Sequence, residues 1–250
     1  GHRYVSVFCD LVGKRVLFAV EGKDKSVWEK FVKALGEHNG HNRAITEISM
    51  DMSPAYIAGA SENIGSQARV VFDKFHVVAH VSKAVDDTRR QESRQQRSAR
   101  AALKGTQWLW RKNPENLTEK EAAEIKELKG KHLATARAYQ MRLVLQDIYR
   151  LPDETSARQK MRAWCRWVKM VARKYPTLIF GKMLRAAAMI ENHLEGILGH
   201  WQSRTTNAFL EGLNSVFSAV KRKARGFRSV KNLITMLYFT AGKLPLPAAP

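Results

Sequence analysis

The sequence predicts an α/β fold (α+β in layout): a mixed sheet with helices, followed by a large all-helical block. Three observations predict it. Over roughly the first third, apolar periodicity runs in the order β-β-α-β-α-β. Beyond Val77 no strand pattern recurs, and apolar residues keep helical spacing. The 250 residues are 44% hydrophobic, enough for one large core or a core carrying a further subdomain.

Arg3 to Leu11 is rich in β-forming residues, and Arg15 to Val20 is a second such run. Val12-Gly13-Lys14 between them reads as a hairpin turn with glycine supplying the bend. Ser26 to Leu35 repeats Val27, Trp28, Phe31, Val32 and Leu35 at helical spacing, with Ser26 placed to cap it. Ile45 and Ile48 to Met50 read as a short buried strand. Ser53-Pro54 can open a helix, because proline is tolerated in a first turn. Tyr56 to Ile64 continues it, and Gly65 closes it. Arg69 to Phe72 is a further strand. This order predicts an antiparallel hairpin joined to parallel strands in one sheet.

Val77 to Lys104 is predicted as one long basic helix. Trp108 to Arg111 is aromatic and apolar, and Asn113-Pro114 breaks it. Thr118 and Glu121 stand in capping-box spacing before a charged helix to Lys129. His132 to Tyr149, Ser156 to Lys174 and Leu178 to Leu198 are amphipathic helices. The tryptophans of the second, Trp164 and Trp167, read as core rather than as base-stacking platforms. A helix from Thr205 or Thr206 to about Gly226 and another from Ser229 to Tyr238 follow. Lys243 to Pro250 is proline-rich and expected to be disordered. The organisation predicted is a core in residues 1–76, an all-helical block in 77–199, core helices in 200–242 and a tail in 243–250.

The formal net charge of +20 favours a polyanionic partner. A membrane surface is the weaker alternative and no membrane partner is expected; no apolar run approaches the roughly 20 residues that span a bilayer. Cys9 and Cys165 are far apart without metal-ligand spacing, which points to a reducing compartment and no disulfide framework. The chain opens at Gly1 and runs straight into a strand, so it reads as a piece of a longer protein.

Two strands of the central stretch end in a carboxylate, Asp51 and Asp73. Sites in open α/β sheets form at the carboxyl ends of strands. From spacing alone Asp51 reads first as a helix cap and second as a metal-binding carboxylate. Asp10 also ends a strand, where Asp usually serves a turn. On the late helix Phe209, Leu210, Leu213, Val216, Phe217 and Val220 share one side, while Asn207, Glu211, Asn214 and Ser218 share the other. Glu211 is thus a lone acid on an amide stripe, leading into Lys221, Arg222 and Arg225, a cluster suited to phosphates. The long basic helix carries Lys83, Arg89, Arg90, Arg94, Arg97, Arg100 and Lys104. Such a run is either a solvated face or a nucleic-acid surface, and the total charge favours nucleic acid.

Four blocks carry a more specific signal: MDMSPAYIAGA, VVFDKFHVVAHVSKAVDDTRRQE, WLWRKNPENLT and SRTTNAFLEGLNSVFSAVKRKARGFRSVKNL. In this order they resemble the ISL3 family of bacterial insertion-sequence transposases, over nearly the whole chain. The resemblance implies a ribonuclease-H-like catalytic core of the DDE type. In such cores two aspartates and a late glutamate bind two divalent ions, Mg²⁺ or Mn²⁺. Asp51 then matches the second acidic position and Glu211 the third, both as metal ligands. Asp73 and His76 match an Asp-x-x-His element near the site, with Asn207 and Asn214 as supporting neighbours of Glu211. The helical block becomes an insertion ahead of the glutamate.

The family's first aspartate lies on a strand just upstream of the block where this chain begins. The resemblance therefore implies that it is absent from these residues, along with upstream helix-turn-helix and zinc-binding regions. The implied activity is metal-dependent DNA cleavage and strand transfer in the bacterial cytoplasm, at the nucleoid. The implied partners are transposon ends, target DNA and further copies of the chain, with no small-molecule substrate. Arg89, Arg90, Arg94, Arg97, Lys221, Arg222 and Arg225 would contact DNA. The alternative is an inactive remnant that only binds nucleic acid. A structural protein binding an acidic partner leaves the strand-end carboxylates unexplained.

Overall fold

A computed structural model describes residues 4–203, 208–223, 226–227 and 229–243, with the side chains of 208–211, 214 and 223 outside that description. Among these residues the chain is mixed α/β and mostly helical. It divides into two compact units, one of residues 1–71 with 203–250, the other Phe72–Gln202.

The first unit opens with β1 (Val5–Asp10) and β2 (Arg15–Glu21), an antiparallel hairpin pairing Val5 with Glu21 and Asp10 with Arg15. The turn works differently from the expectation. Asp10 Oδ1 accepts the Val12 and Gly13 N–H groups at 3.0 and 2.8 Å. The left-handed conformation falls on Lys14, at φ 51°. Gly13 is needed for space, since a Cβ there would lie 2.3 Å from Asp10 Oδ2.

Helix α1 (Ser26–Glu37) follows, and Ser26 is its first residue rather than its cap. Asp24 accepts the Ser26 N–H at 2.8 Å, because an aspartate two residues upstream reaches that donor. Strand β3 (Glu47–Met50) leads into α2 (Pro54–Asn63), and β4 (Arg69–Phe72) pairs with β3. The described strands form two two-stranded sheets rather than one mixed sheet. Periodicity marks which residues are apolar but carries no ladder partners, which depend on long-range register.

An aromatic cluster holds this unit together. Phe8 stacks on Phe31 with ring centroids 4.2 Å apart, and Trp28 meets Phe8 edge-on at 5.0 Å. Gly59 lets α2 approach Trp28 so closely that a Cβ would sit 2.2 Å from the indole. Ala60, Ile64 and Ala68 complete the buried side. From the far end of the chain, α11 (Val230–Ala241) packs on β2, and its Tyr238 hydroxyl accepts the Ala19 N–H at 2.9 Å. Ser229 caps α11 by accepting the Asn232 N–H.

The second unit is built on α3 (Lys74–Gln95). Val77, Val81, Ala84, Val85, Thr88 and Glu92 are buried along one face of it. That face meets α6 (Ala134–Ile148) and α8 (Thr177–Asn192), with α7 (Glu154–Ala172) packed on both of these. Trp164 lies in the α7 core and donates to the Met141 carbonyl at 2.8 Å.

Two predicted helices are each broken. Extended Gln96 separates α3 from α4 (Arg97–Leu103), and His193 separates α8 from α9 (Leu194–Gln202). Burial resumes at Ala99 and Leu103, and at Ile197 and Leu198, in the phase of the preceding helix. Periodicity therefore passes through both breaks unchanged. The capping box on α5 (Glu119–Gly130) forms as predicted, with Thr118 and Glu121 satisfying each other's backbone donors. Residues 244–250 of the expected disordered tail lie outside the described residues.

Glu92, only 1% exposed, ties α3 to α6. Its carboxylate accepts the Ala134 N–H at 2.6 Å, the Thr135 N–H at 2.8 Å and the Thr135 hydroxyl at 2.6 Å. These are first-turn donors of α6 that would otherwise be buried without partners. Glu92→Ala is expected to destabilise the helical unit by about 2–4 kcal/mol, read as a shift in urea unfolding followed by helical circular dichroism. Glu92→Gln should cost less, because it keeps one acceptor. A shift of under about 0.5 kcal/mol for the alanine variant would remove Glu92 from this role.

Candidate functional site

Asp51 follows the last residue of β3 and is half-buried. One oxygen, Oδ1, accepts the Ser53 N–H at 2.8 Å. Ser53, not Asp51, holds the cap position of α2, and Ser53 makes no side-chain cap bond. The second Asp51 oxygen has no protein partner among the described residues. A carboxylate held by one oxygen at a strand end is oriented yet open, which suits a cation ligand.

Glu211 lies on α10 (Ala208–Lys223), and residues 203–250 belong to the same compact unit as Asp51. The Glu211 and Asn214 side chains, and Asn207 and Arg225 entirely, fall outside the described residues. On the apolar side of α10 Leu213 is buried, Phe217 and Val220 are half-buried and Val216 is exposed. Lys221 and Arg222 are exposed. Ser203 precedes this helix in the chain, and its hydroxyl donates to Glu47 at 2.5 Å. Glu47 begins β3 and also pairs with Arg69 on β4. Ser203 is thus tied to the strand that ends before Asp51.

Asp73 and His76 belong to the second unit. Asp73 caps α3 by accepting the Phe75 N–H at 2.8 Å, and His76 Nε2 stands 3.8 Å from its other oxygen. Close by in the fold, Lys74 Nζ lies 5.4 Å from the Tyr149 ring. Tyr149 stacks on Trp201 at 5.3 Å and meets His200 edge-on at 5.3 Å. The Tyr149 hydroxyl is buried without a partner among the described residues, and burial, with the Asp73 charge, pushes its pKa well up. His200 is held below its usual range by burial and by Lys74, against the pull of Asp73. Sequence reading missed this group. Its members come from the start of α3, the end of α6 and α9, and no local motif joins them.

The cations of the long basic run differ from one another. Asp86, 7% exposed, binds three arginines: Arg89 at 2.9 Å, Arg90 at 2.9 Å and Arg111 at 3.7 Å. The Arg89 side chain is only 12% exposed and serves this ion pair, whereas Arg90 remains 54% exposed. Arg94, Arg97, Arg100 and Lys104 are exposed, with no ion-pair partner among the described residues. Burial pushes the Cys9 thiol up to about 11 and the Cys165 thiol up to about 12, so neither is a ready thiolate.

No three His, Cys, Asp or Glu side chains gather in metal-binding fashion among the described residues, a set that excludes the Glu211 carboxylate. No helix among them is long and apolar enough to cross a membrane.

The profile of a protein family described as transposase, DDE_Tnp_ISL3, matches residues 1–237. The transposase for insertion sequence element IS1001 of Bordetella parapertussis is 28% identical over 232 residues, 91% of this chain and 55% of that protein. The transposase for insertion sequence element IS1557 of Mycobacterium tuberculosis is 27% identical over 269 aligned positions, 98% of this chain and 58% of that protein. The chain thus spans about half the length of the curated relatives it matches. No solved structure gives a significant match. With all four motif blocks inside the matched region, the chain belongs to the ISL3 family of insertion-sequence transposases.

Proposed function

We propose that this chain supplies two carboxylates and the DNA-holding surface of a DDE-type transposase, with a ribonuclease-H-like core interrupted by the helical unit. The observation that carries the reading is Asp51 at the end of β3, with Glu211 on a helix of the same compact unit. The relatives are transposases of insertion sequences, which supports a DNA substrate.

Asp51 and Glu211 would hold two divalent ions, since hard oxygen donors suit Mg²⁺ or Mn²⁺. Asp51 fits this role through its unpartnered oxygen. When bound, such ions supply an activated water and neutralise charge at the leaving oxygen of a phosphodiester. The chain's own residues do the rest. The Ser53 N–H fixes the Asp51 carboxylate, and the Ser203 hydroxyl is bonded to Glu47 at the start of the same strand. Lys221 and Arg222, with Arg94 and Arg97, hold phosphates of transposon end and target. Asp73 and His76, the Asp-x-x-His element at the start of α3, are assigned a supporting role in the same activity. Asn207, Asn214 and Arg225 flank Glu211 in sequence and complete the set. The work is done at the nucleoid, by an oligomer that holds paired ends.

The reaction requires a further carboxylate. Asp10 is a poor candidate, because it is engaged by the β1–β2 turn and lies 3.6 Å from Arg15. The 250 residues alone are therefore expected to bind DNA without efficient cleavage. A protein spanning the relatives' full length should nick transposon-end DNA with Mg²⁺ or Mn²⁺. There Asp51→Ala and Glu211→Ala should each reduce nicking to the metal-free level with DNA affinity kept. Undiminished nicking in either variant would overturn the assignment of that carboxylate.

The phosphate surface is testable by salt. Each lost phosphate contact lowers the slope of log affinity against log salt by about 0.9 on duplex DNA. Arg94→Ala with Arg97→Ala should lower the slope by about 2, measured by fluorescence anisotropy on a duplex. Arg89→Ala should instead lower the unfolding temperature, because it releases a buried carboxylate. An unchanged slope in the double variant would move the DNA surface elsewhere.

A further inference from the structure

Of six tryptophans, Trp108 alone is exposed, at 61%; Trp28, Trp110 and Trp164 are buried and Trp167 and Trp201 are half-buried. Its setting is rigid. It lies in the 3₁₀ turn Thr106–Arg111, where Leu109 and Trp110 point inward and Trp110 donates to the Thr106 hydroxyl at 3.0 Å. The backbone is pinned by Arg142, 3% exposed, which donates to the Arg111 and Lys112 carbonyls at 3.0 and 2.7 Å. The Arg111 guanidinium lies 4.8 Å from the Trp108 ring centroid and also pairs with Asp86 at 3.7 Å. Arg90 shares the same carboxylate and is also exposed.

We propose that Trp108 is a stacking platform for an unpaired nucleobase, with Arg111 and Arg90 taking the adjacent phosphates. The proposal rests on the DNA-binding reading above and deepens it from duplex to unpaired DNA. An indole kept in water loses its usual reason for being apolar, the burial of area. Here a buried carboxylate, a guanidinium and a pinned backbone hold it outward. A flat π surface beside fixed cations is what a base and its phosphate require: the base stacks without sequence readout, and the cations neutralise the backbone. A duplex offers no free base face, so the platform acts only where strands are open.

The test compares a fluorescein-labelled oligothymidylate with a blunt duplex of equal length, by anisotropy at fixed salt. Trp108→Ala should weaken oligothymidylate binding about tenfold and leave duplex binding within about twofold. Trp108→Phe should retain most of the affinity. Trp108→Leu keeps apolar bulk without the π face, and it should behave as the alanine variant. The comparison of phenylalanine with leucine decides the matter even if alanine perturbs the fold. Equal losses on both DNAs, no loss on the single strand, or a leucine variant equal to phenylalanine would overturn the platform. So would a Trp108→Ala change in oligomeric state with DNA binding intact, since the indole would then be a protein contact. Wild-type protein that binds neither DNA would overturn the DNA-binding reading itself. Wild-type affinity for both DNAs in every variant would overturn the platform alone.

Discussion

Two buried carboxylates on one helix constrain the helical unit. Ionised side chains enter a protein interior only when fully partnered. Glu92 meets this condition by taking the first-turn donors of α6, which fixes where that helix begins. Asp86 meets it by gathering arginines from α3 and from the turn after α4, which fixes how the Trp108 segment lies. The chain has 23 acidic residues against 43 basic ones. Asp86 offsets the arginines it pairs with, Arg89, Arg90 and Arg111. The exposed Arg94, Arg97, Arg100 and Lys104 follow on the same stretch of chain, so structural and electrostatic roles are divided along one run of sequence.

Much of the fold was legible where signals are local. The hairpin, the helix of Val27, Trp28 and Phe31, and the Thr118–Glu121 capping box depend on neighbours within a few residues, and all appear. Three features were not legible, for separate physical reasons. The breaks at Gln96 and His193 keep the burial phase, so a periodicity reading cannot register them. Ser26 looked like a cap because its type is right, but Asp24 reaches the donor instead. The pairing of strands into two sheets depends on register between distant segments, which composition does not encode.

The site was read from motif blocks more than from geometry. Asp51 stood out because a strand, an acid and a Ser-Pro helix start follow in order. Its spacing alone favoured a cap, and the structure gives it an intermediate position: it accepts one N–H and leaves an oxygen open. Arg89 and Arg90 looked equivalent in the sequence, yet one turn geometry directs Arg89 inward and leaves Arg90 at the surface. The Lys74, Tyr149, His200 and Trp201 group was invisible because three separate helices supply its parts.

The first unit is discontinuous: residues 1–71 are joined by 203–250, and the Tyr238 hydroxyl meets the Ala19 N–H across almost the whole chain. Such long-range contacts form slowly, because a large loop must close before any of them is gained. The helical unit is contiguous and depends on nearer contacts. During synthesis it can therefore fold while the last core helices are still within the ribosome. Asp51 and the Glu211 helix can share a folded unit only after α10 has emerged. The order in which the chain emerges thus places the completion of the discontinuous unit after that of the contiguous one.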